Sequence, residues 1–141
     1  MPNGQDAYVR GTHGINSGKW YWEVTCGSVG TNAGIAISPI TTTTGGSGVQ
    51  FTGAYAYEAD GRKRIGITGS SYGASYTSGD VIGVAVDFDA LEIEFYKNNV
   101  SQGAISITAA TYLPASSTGG AAESTFTYNF GQQPFKYGPP E

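Results

Sequence analysis

The clearest pattern in the chain is strict alternation of apolar and polar residues. In Lys19-Trp20-Tyr21-Trp22-Glu23-Val24-Thr25, the residues Trp20, Trp22 and Val24 share one face, while Tyr21, Glu23 and Thr25 share the other. A period of two marks a half-buried β-strand. The same alternation returns at residues 80–88, where Ile82, Val84, Val86 and Phe88 align. It returns again where Leu91, Ile93 and Phe95 alternate with Glu92, Glu94 and Tyr96. Shorter strand-like runs lie at 33–38, 53–58, 62–67, 100–107 and 125–130. Turn signals separate them, among them Asp60-Gly61, Asp89-Ala90 and Asn98-Asn99. No segment sustains a 3.6-residue period, and no internal repeat is visible. Short strands at this density predict an all-β sandwich or barrel. Three long polar stretches, 41–50, 68–78 and 115–124, read as loops.

Composition narrows what such a chain can do. Its 141 residues fit one domain and can bury a core without metals or disulfides. Glycine is 22 of the 141 residues, against a usual share of about 7%. Interior glycine disfavours helices and suits tight turns. The formal net charge is −4, with seven Lys and Arg, three of them in Arg62-Lys63-Arg64. That leaves no basic stripe to follow a phosphate backbone, so nucleic acid is not expected as a partner. No run approaches the roughly 18 apolar residues of a membrane span, and no membrane insertion is expected. The opening MPNGQDAYVR has neither the charged nor the apolar region of a signal peptide. The chain reads as a single domain over 1–141, with its core at 18–135 and extended flanks at 1–17 and 136–141.

Little is arranged for catalysis. His13 is the only histidine and stands in a glycine-flanked loop with no cysteine or second histidine near it. A nucleophile–histidine pair would depend on that one loop residue. One His and one Cys also fall short of a zinc ligand set, and no metal or other cofactor is expected. Cys26 lies in a strand pattern and is expected to be a buried, inert thiol. Gly45-Gly46-Ser47-Gly48 lacks the Gly-Lys-Ser/Thr ending of a phosphate loop. One carboxylate pair keeps an enzyme in play. Glu92 and Glu94 are two residues apart on a strand, about 6.6–6.8 Å in rise. Side chains at that spacing can reach the carboxyl separation of about 5–5.5 Å used by retaining glycosidases. The same spacing also follows if two carboxylates simply face solvent opposite Leu91, Ile93 and Phe95.

The tyrosines are more informative. Tyr55, Tyr57, Tyr72 and Tyr76 lie in or beside loops, with Arg62 and Arg64 close in sequence. Tyrosine offers rigid contact area and a hydroxyl at low entropic cost, which favours it at binding surfaces. These six are the candidate ligand-binding residues, with 68–78 as the preferred loop. The alternative is that the tyrosines are ordinary core or edge residues.

Four stretches carry a family resemblance. They are Gly18-Lys19-Trp20-Tyr21-Trp22-Glu23-Val24, the run from Gly79 to Asp89, Ile93-Glu94-Phe95-Tyr96-Lys97-Asn98-Asn99, and Tyr128-Asn129-Phe130-Gly131-Gln132-Gln133-Pro134-Phe135. Their order resembles the SPRY domain, and their wording is similar to SPRY-like modules of bacteriophage tail or head appendages. The resemblance implies a concanavalin-A-like Greek-key sandwich of two antiparallel sheets. It implies a non-enzymatic module that recognises a protein or a cell-surface glycan through loops at one end. In the phage setting it also implies a virion location and contacts with neighbouring virion subunits. A purely structural decoration module and a glycan-active hydrolase using Glu92 and Glu94 are the alternatives. The expected core residues are Trp20, Trp22, Val84, Val86, Phe95 and Phe130. Two departures stand out. Asn98-Asn99 replaces the family's usual Asn-Gly, which a turn tolerates because Asn accepts positive φ. The strand before Trp20 is short or missing, and the chain stops just after Pro139-Pro140. A domain cut from a longer protein, or one completed by a neighbouring subunit, is the expectation.

Overall fold

The alternation becomes two stacked antiparallel sheets. The computed structural model describes residues 8–30, 32–41, 53–118 and 124–140, and no helix occurs among them. Hence no helix there is long and apolar enough to cross a membrane. Six strands form one sheet in the order β1 (Tyr8–Arg10), β10 (Tyr112–Ser117), β3 (Gly34–Pro39), β4 (Tyr55–Glu58), β5 (Arg62–Ile65), β6 (Thr68–Ser71). Five form the other in the order β11 (Phe126–Asn129), β2 (Lys19–Cys26), β7 (Val81–Asp87), β8 (Glu92–Lys97), β9 (Val100–Ser106).

Register builds the core. Trp22 pairs with Val84, Val24 with Ile82, and Val84 with Phe95, so one face of the five-stranded sheet is continuously apolar. On the other sheet Ile35 pairs with Tyr57 and Ile37 with Tyr55. The two faces meet in one cluster in which Trp22, Tyr57, Phe95 and Tyr112 are fully buried. Burying a large apolar side chain stabilises the fold by about 1.5–3 kcal/mol. The far face of the six-stranded sheet carries a second, small-residue cluster of Ala36, Ala56 and Ala115.

The β7–β8–β9 meander shows how its turns are held. Asn98 and Asn99 take φ values of 48° and 70°, as a two-residue type I′ hairpin turn requires. The Asn98 side chain also accepts from the Val81 N–H at 2.9 Å and donates to Asp80 at 2.8 Å. Asp87 Oδ1 accepts from the N–H groups of Asp89 and Ala90, closing the preceding turn. Asp87 therefore has structural work that its strand position does not announce, and Asn98 adds side-chain bonds to the turn its sequence marks.

Two of the expected core residues lie elsewhere. Trp20 is 41% exposed and Phe130 53%. Trp20 is in register with Val86, on the same row as Trp22. The segment opposite it, Gly11 to Ile15 together with Pro114, does not close over it: the His13 ring stands 6.2 Å from the Trp20 ring, and a cleft of about 400 Å³ remains open. Phe130 follows edge strand β11 and stacks on Tyr128, with ring centroids 5.5 Å apart. Trp22, Val84, Val86 and Phe95 are buried as expected.

Three strands carry no alternation. β1 is the short N-terminal strand, only three residues long. β6 lies inside the expected loop at 68–78 and reads TGSS, exposed at every position. As an edge strand it needs only backbone pairing with β5, which Gly66, at φ +63°, makes possible by turning the chain. The second half of β10, residues 115–117, falls in the stretch expected as a loop at 115–124, yet all six residues of the strand are buried. A strand covered on both faces shows no polar alternation.

Candidate functional site

The six candidate residues divide sharply once placed. Tyr55, Tyr57 and Tyr76 are buried, so they pack rather than display. Tyr57 is the hub, with ring centroids 4.8 Å from Tyr76, 5.3 Å from Tyr72 and 5.6 Å from Phe95, in tilted and edge-on arrangements that aromatic quadrupoles favour. Each hydroxyl finds a partner. Tyr57 donates to the Ala74 carbonyl, Tyr76 to the Tyr57 carbonyl at 2.7 Å, and Tyr72 to the Gly103 carbonyl, while Tyr55 accepts from the Thr108 N–H at 3.1 Å. Burial pushes the Tyr72 hydroxyl up to about 12 and the Tyr76 hydroxyl well above its ordinary value. The segment after β6 is therefore a plug for the sandwich interior.

Backbone contacts hold that plug in place. Gly73 N–H donates to Gly61, Tyr76 N–H to Ala59, and Ala74 N–H to the Gln102 side chain. Gly61 sits at φ +93°, and a Cβ there would lie 2.5 Å from the Gly73 carbonyl oxygen. Glycine at 61 thus permits both the turn and the close approach of the plug.

Arg62 and Arg64 lie on the far face of β5, in register with Ser71 and Gly69 of β6. Arg64 is mostly covered: its Nε donates to Glu58 at 2.7 Å and its Nη1 to the Ile67 carbonyl at 3.2 Å. Arg62 is more open, with its Nε 2.7 Å from Asp60 and 3.6 Å from Glu58. Tyr72 is half-buried, with the Lys63 ammonium 5.8 Å from its ring centroid. What the hairpin does display, and sequence reasoning passed over, is apolar: Ile65 is 45% exposed and Ile67 71%. Of the other two loops singled out, residues 42–50 and 119–123 lie outside the described residues, and 115–117 belong to β10.

The carboxylate pair occupies the outer face of the five-stranded sheet. Glu92 is exposed and Glu94 half-buried, the latter accepting from Ser101 Oγ at 2.6 Å. With Asp87, Tyr21 and Tyr96 they line an open groove ended by Pro139 and Pro140. A glycosidase general acid needs an apolar, desolvating pocket to stay protonated, and Glu92 stands in solvent instead. Among the described residues no group of three His, Cys, Asp or Glu is placed to hold a metal ion. Cys26 is buried, and burial, then the charge of Asp80, push its thiol up to about 12.

Glu23 is the residue whose role the sequence hides. Its pattern matches a solvated outer-face carboxylate, yet it is only 3% exposed. The C-terminal segment crosses the sheet there, and Glu23 accepts the N–H groups of Lys136, Tyr137 and Gly138 at 2.7, 2.9 and 3.2 Å, and the Tyr21 hydroxyl at 2.9 Å. Phe135 meets Tyr21 edge-on at 5.1 Å. Burial works to raise the Glu23 carboxyl, but these donors outweigh it and hold it below its ordinary value.

A two-sheet sandwich with a tyrosine-plugged interior and a displayed hairpin fits a binding scaffold, and comparison with known proteins agrees. Residues 19–133 match the SPRY domain model, and the chain belongs to the SPRY domain family. Over 90 residues it is 37% identical to the E3 ubiquitin-protein ligase RKP of Arabidopsis thaliana, covering 58% of this chain and 7% of that protein. Over 132 residues it is 28% identical to the ATP-dependent RNA helicase DDX1 of Xenopus laevis, covering 92% of this chain and 17% of that protein. The chain thus spans less than a fifth of either relative. The SPRY domain of human HERC1 superposes with a TM-score of 0.79 at 18% identity, covering 94% of this chain and 87% of that one. A second human SPRY domain gives 0.77 at 19% identity, covering 94% and 89%. SPRY domains mediate protein–protein interactions and are generally non-catalytic.

Proposed function

We propose that this domain is a non-catalytic module that recognises a polypeptide partner through the β5–β6 hairpin. The observation that carries the reading is the pair of exposed isoleucines, Ile65 and Ile67, on a hairpin whose outer strand β6 pairs with β5 alone among the described residues. An open strand edge offers unpaired backbone groups to an extended peptide, while adjacent side chains supply selectivity. Arg62 and Tyr72 form the rim of this surface. Tyr55, Tyr57 and Tyr76 make its rigid base, and Arg64 braces it through Glu58. A firm base lowers the conformational cost of binding. Neither the E3 ligase nor the helicase relative supplies a partner for this chain. The bacteriophage appendage setting has motif wording as its only support, and the relatives named above come from a plant, a frog and human proteins.

A displayed peptide library and a glycan array, both probed with the isolated domain, test the reading. Peptides should be enriched, and Ile67→Asp should weaken the selected peptide by about tenfold or more, the loss expected at a contact hot spot. Glu92→Gln with Glu94→Gln should leave peptide affinity unchanged. Glycan binding with sugar release that disappears in the double-Gln variant would replace this reading with the hydrolase.

A further inference from the structure

The groove on the outer face of the five-stranded sheet is a second binding surface, independent of the hairpin. Its floor follows from register. Ala85 lies between Tyr21 of β2 and Glu94 of β8, and Asp87 lies between Lys19 and Glu92. Next along β7 is Gly83, which leaves room for the Tyr21 hydroxyl; a Cβ there would approach it to 2.8 Å. Small residues on β7 between larger ones on β2 and β8 leave a depression of about 450 Å³. The C-terminal segment, held by Glu23, brings Pro139 and Pro140 to one end. Charge in this groove is uneven. Asp87, Glu92 and Glu94 line it against one cation, the exposed Lys19, whose ammonium lies 3.8 Å from Asp87. Among the described residues neither Glu92 nor Glu94 has an ion-pair partner. Nor are the carboxylates grouped to hold a metal ion, so a point cation does not match them. They are spread along a strand, with Glu92 and Glu94 roughly 6.6–6.8 Å apart in rise.

We propose that this groove binds an extended segment of a partner polypeptide carrying arginine at alternate positions, one guanidinium at Glu92 and one at Glu94. Charge complementarity selects the cation. Alternate side chains of an extended segment repeat at the same roughly 6.6–6.8 Å, which selects the spacing. An exposed ion pair alone is worth little, and the tyrosine and proline walls supply the rest of the contact. Guanidinium fits both parts, since it forks onto carboxylates, stacks on aromatic rings and is weakly hydrated.

The probe is acetyl-Gly-Arg-Gly-Arg-Gly-amide, titrated at low salt into the nitrogen-labelled chain. The amide resonances of Ala85, Glu92, Glu94 and Tyr96 should shift saturably. The same peptide with citrulline for arginine keeps the shape without the charge and should not shift them. Lysine in place of arginine loses the fork, and acetyl-Gly-Arg-Arg-Gly-Gly-amide loses the spacing, so both should bind more weakly. Glu92→Gln with Glu94→Gln should weaken the probe about tenfold or more, the worth of a hydrogen bond to a charged group. Ala85→Phe fills the floor without altering charge and should also weaken it. Ile67→Asp should leave the probe's affinity unchanged, and the probe should not displace a peptide selected on the hairpin, so the two readings fail separately. Full affinity in the double-Gln or the Ala85→Phe variant, no saturable shift, or equal binding of any control peptide would overturn the proposal. So would a dimer on sedimentation with these resonances shifting on dilution, which would make the occupant a second copy of the chain.

Discussion

The two sides of the sandwich interior solve the same packing problem in opposite ways. On the β4/β8 side, Tyr57, Tyr72, Tyr76 and Phe95 interlock and their hydroxyls reach backbone carbonyls. On the β1/β11 side, Trp20 and Phe130 stay exposed, a cleft persists, and the buried Trp22 indole nitrogen has no hydrogen-bond partner among the described residues. The difference is one of supply. The filled side receives a plug delivered by the segment after β6, whereas Gly11, Thr12, His13, Ile15 and Pro114 line the open side without filling it. A closed side gives rigidity, and an open side leaves aromatic surface uncovered.

Substitutions sharpen this contrast. The largest effect belongs to Phe95→Ala on the filled side, which should cost about 3–5 kcal/mol, the range for truncating a buried aromatic. A chemical denaturation midpoint equal to the parent's would show that the plug is not a packed core. Next comes Glu23, which secures β2 from its outer face without entering either side. Glu23→Gln should cost about 1.5–3 kcal/mol, the range for hydrogen bonds to a charged group, and should raise proteolysis near Lys136 while leaving the Trp22 indole resonance in place. The pH dependence follows from the lowered pKa. Protonation is resisted in the folded state, so this stabilisation is complete above the unfolded value of about 4.3 and is lost as pH falls through the lower folded value. A stability difference between the parent and Glu23→Gln that stays constant from neutral pH down to acid unfolding would remove the carboxylate from this role.

Smaller effects test the contrast more finely. Tyr76→Phe keeps the ring and deletes the hydroxyl, so it should cost about 0.5–1.5 kcal/mol, one ordinary hydrogen bond. Trp20→Ala, on the open side, should stay within about 1 kcal/mol despite deleting the larger side chain, because surface positions contribute little. If Trp20→Ala proves as damaging as Phe95→Ala, the cleft is closed in solution and the contrast disappears.

What the sequence determined by itself is direction. Strict alternation assigned Trp22, Val84, Val86 and Phe95 to the inner face, and the register of the two sheets agrees. Four motifs in order were enough for the family, and the Asn98-Asn99 turn was legible because positive φ has few residue solutions. The tertiary structure decided what stands opposite each face. Trp20 and Trp22 are indistinguishable in the pattern, yet one is exposed and the other buried, because their facing walls come from distant segments. Glu23 and Glu92 look equally solvated, but only Glu23 meets the N–H of Lys136, 113 residues away. Tyr57 and Tyr76 looked like display residues because a loop's composition does not say whether it folds outward or back. β10 lost its alternation because both of its faces are covered. A strand's own residues report which way each side chain points. Whether that direction ends in solvent, in a neighbour or in an empty cleft depends on chain that the local pattern does not contain.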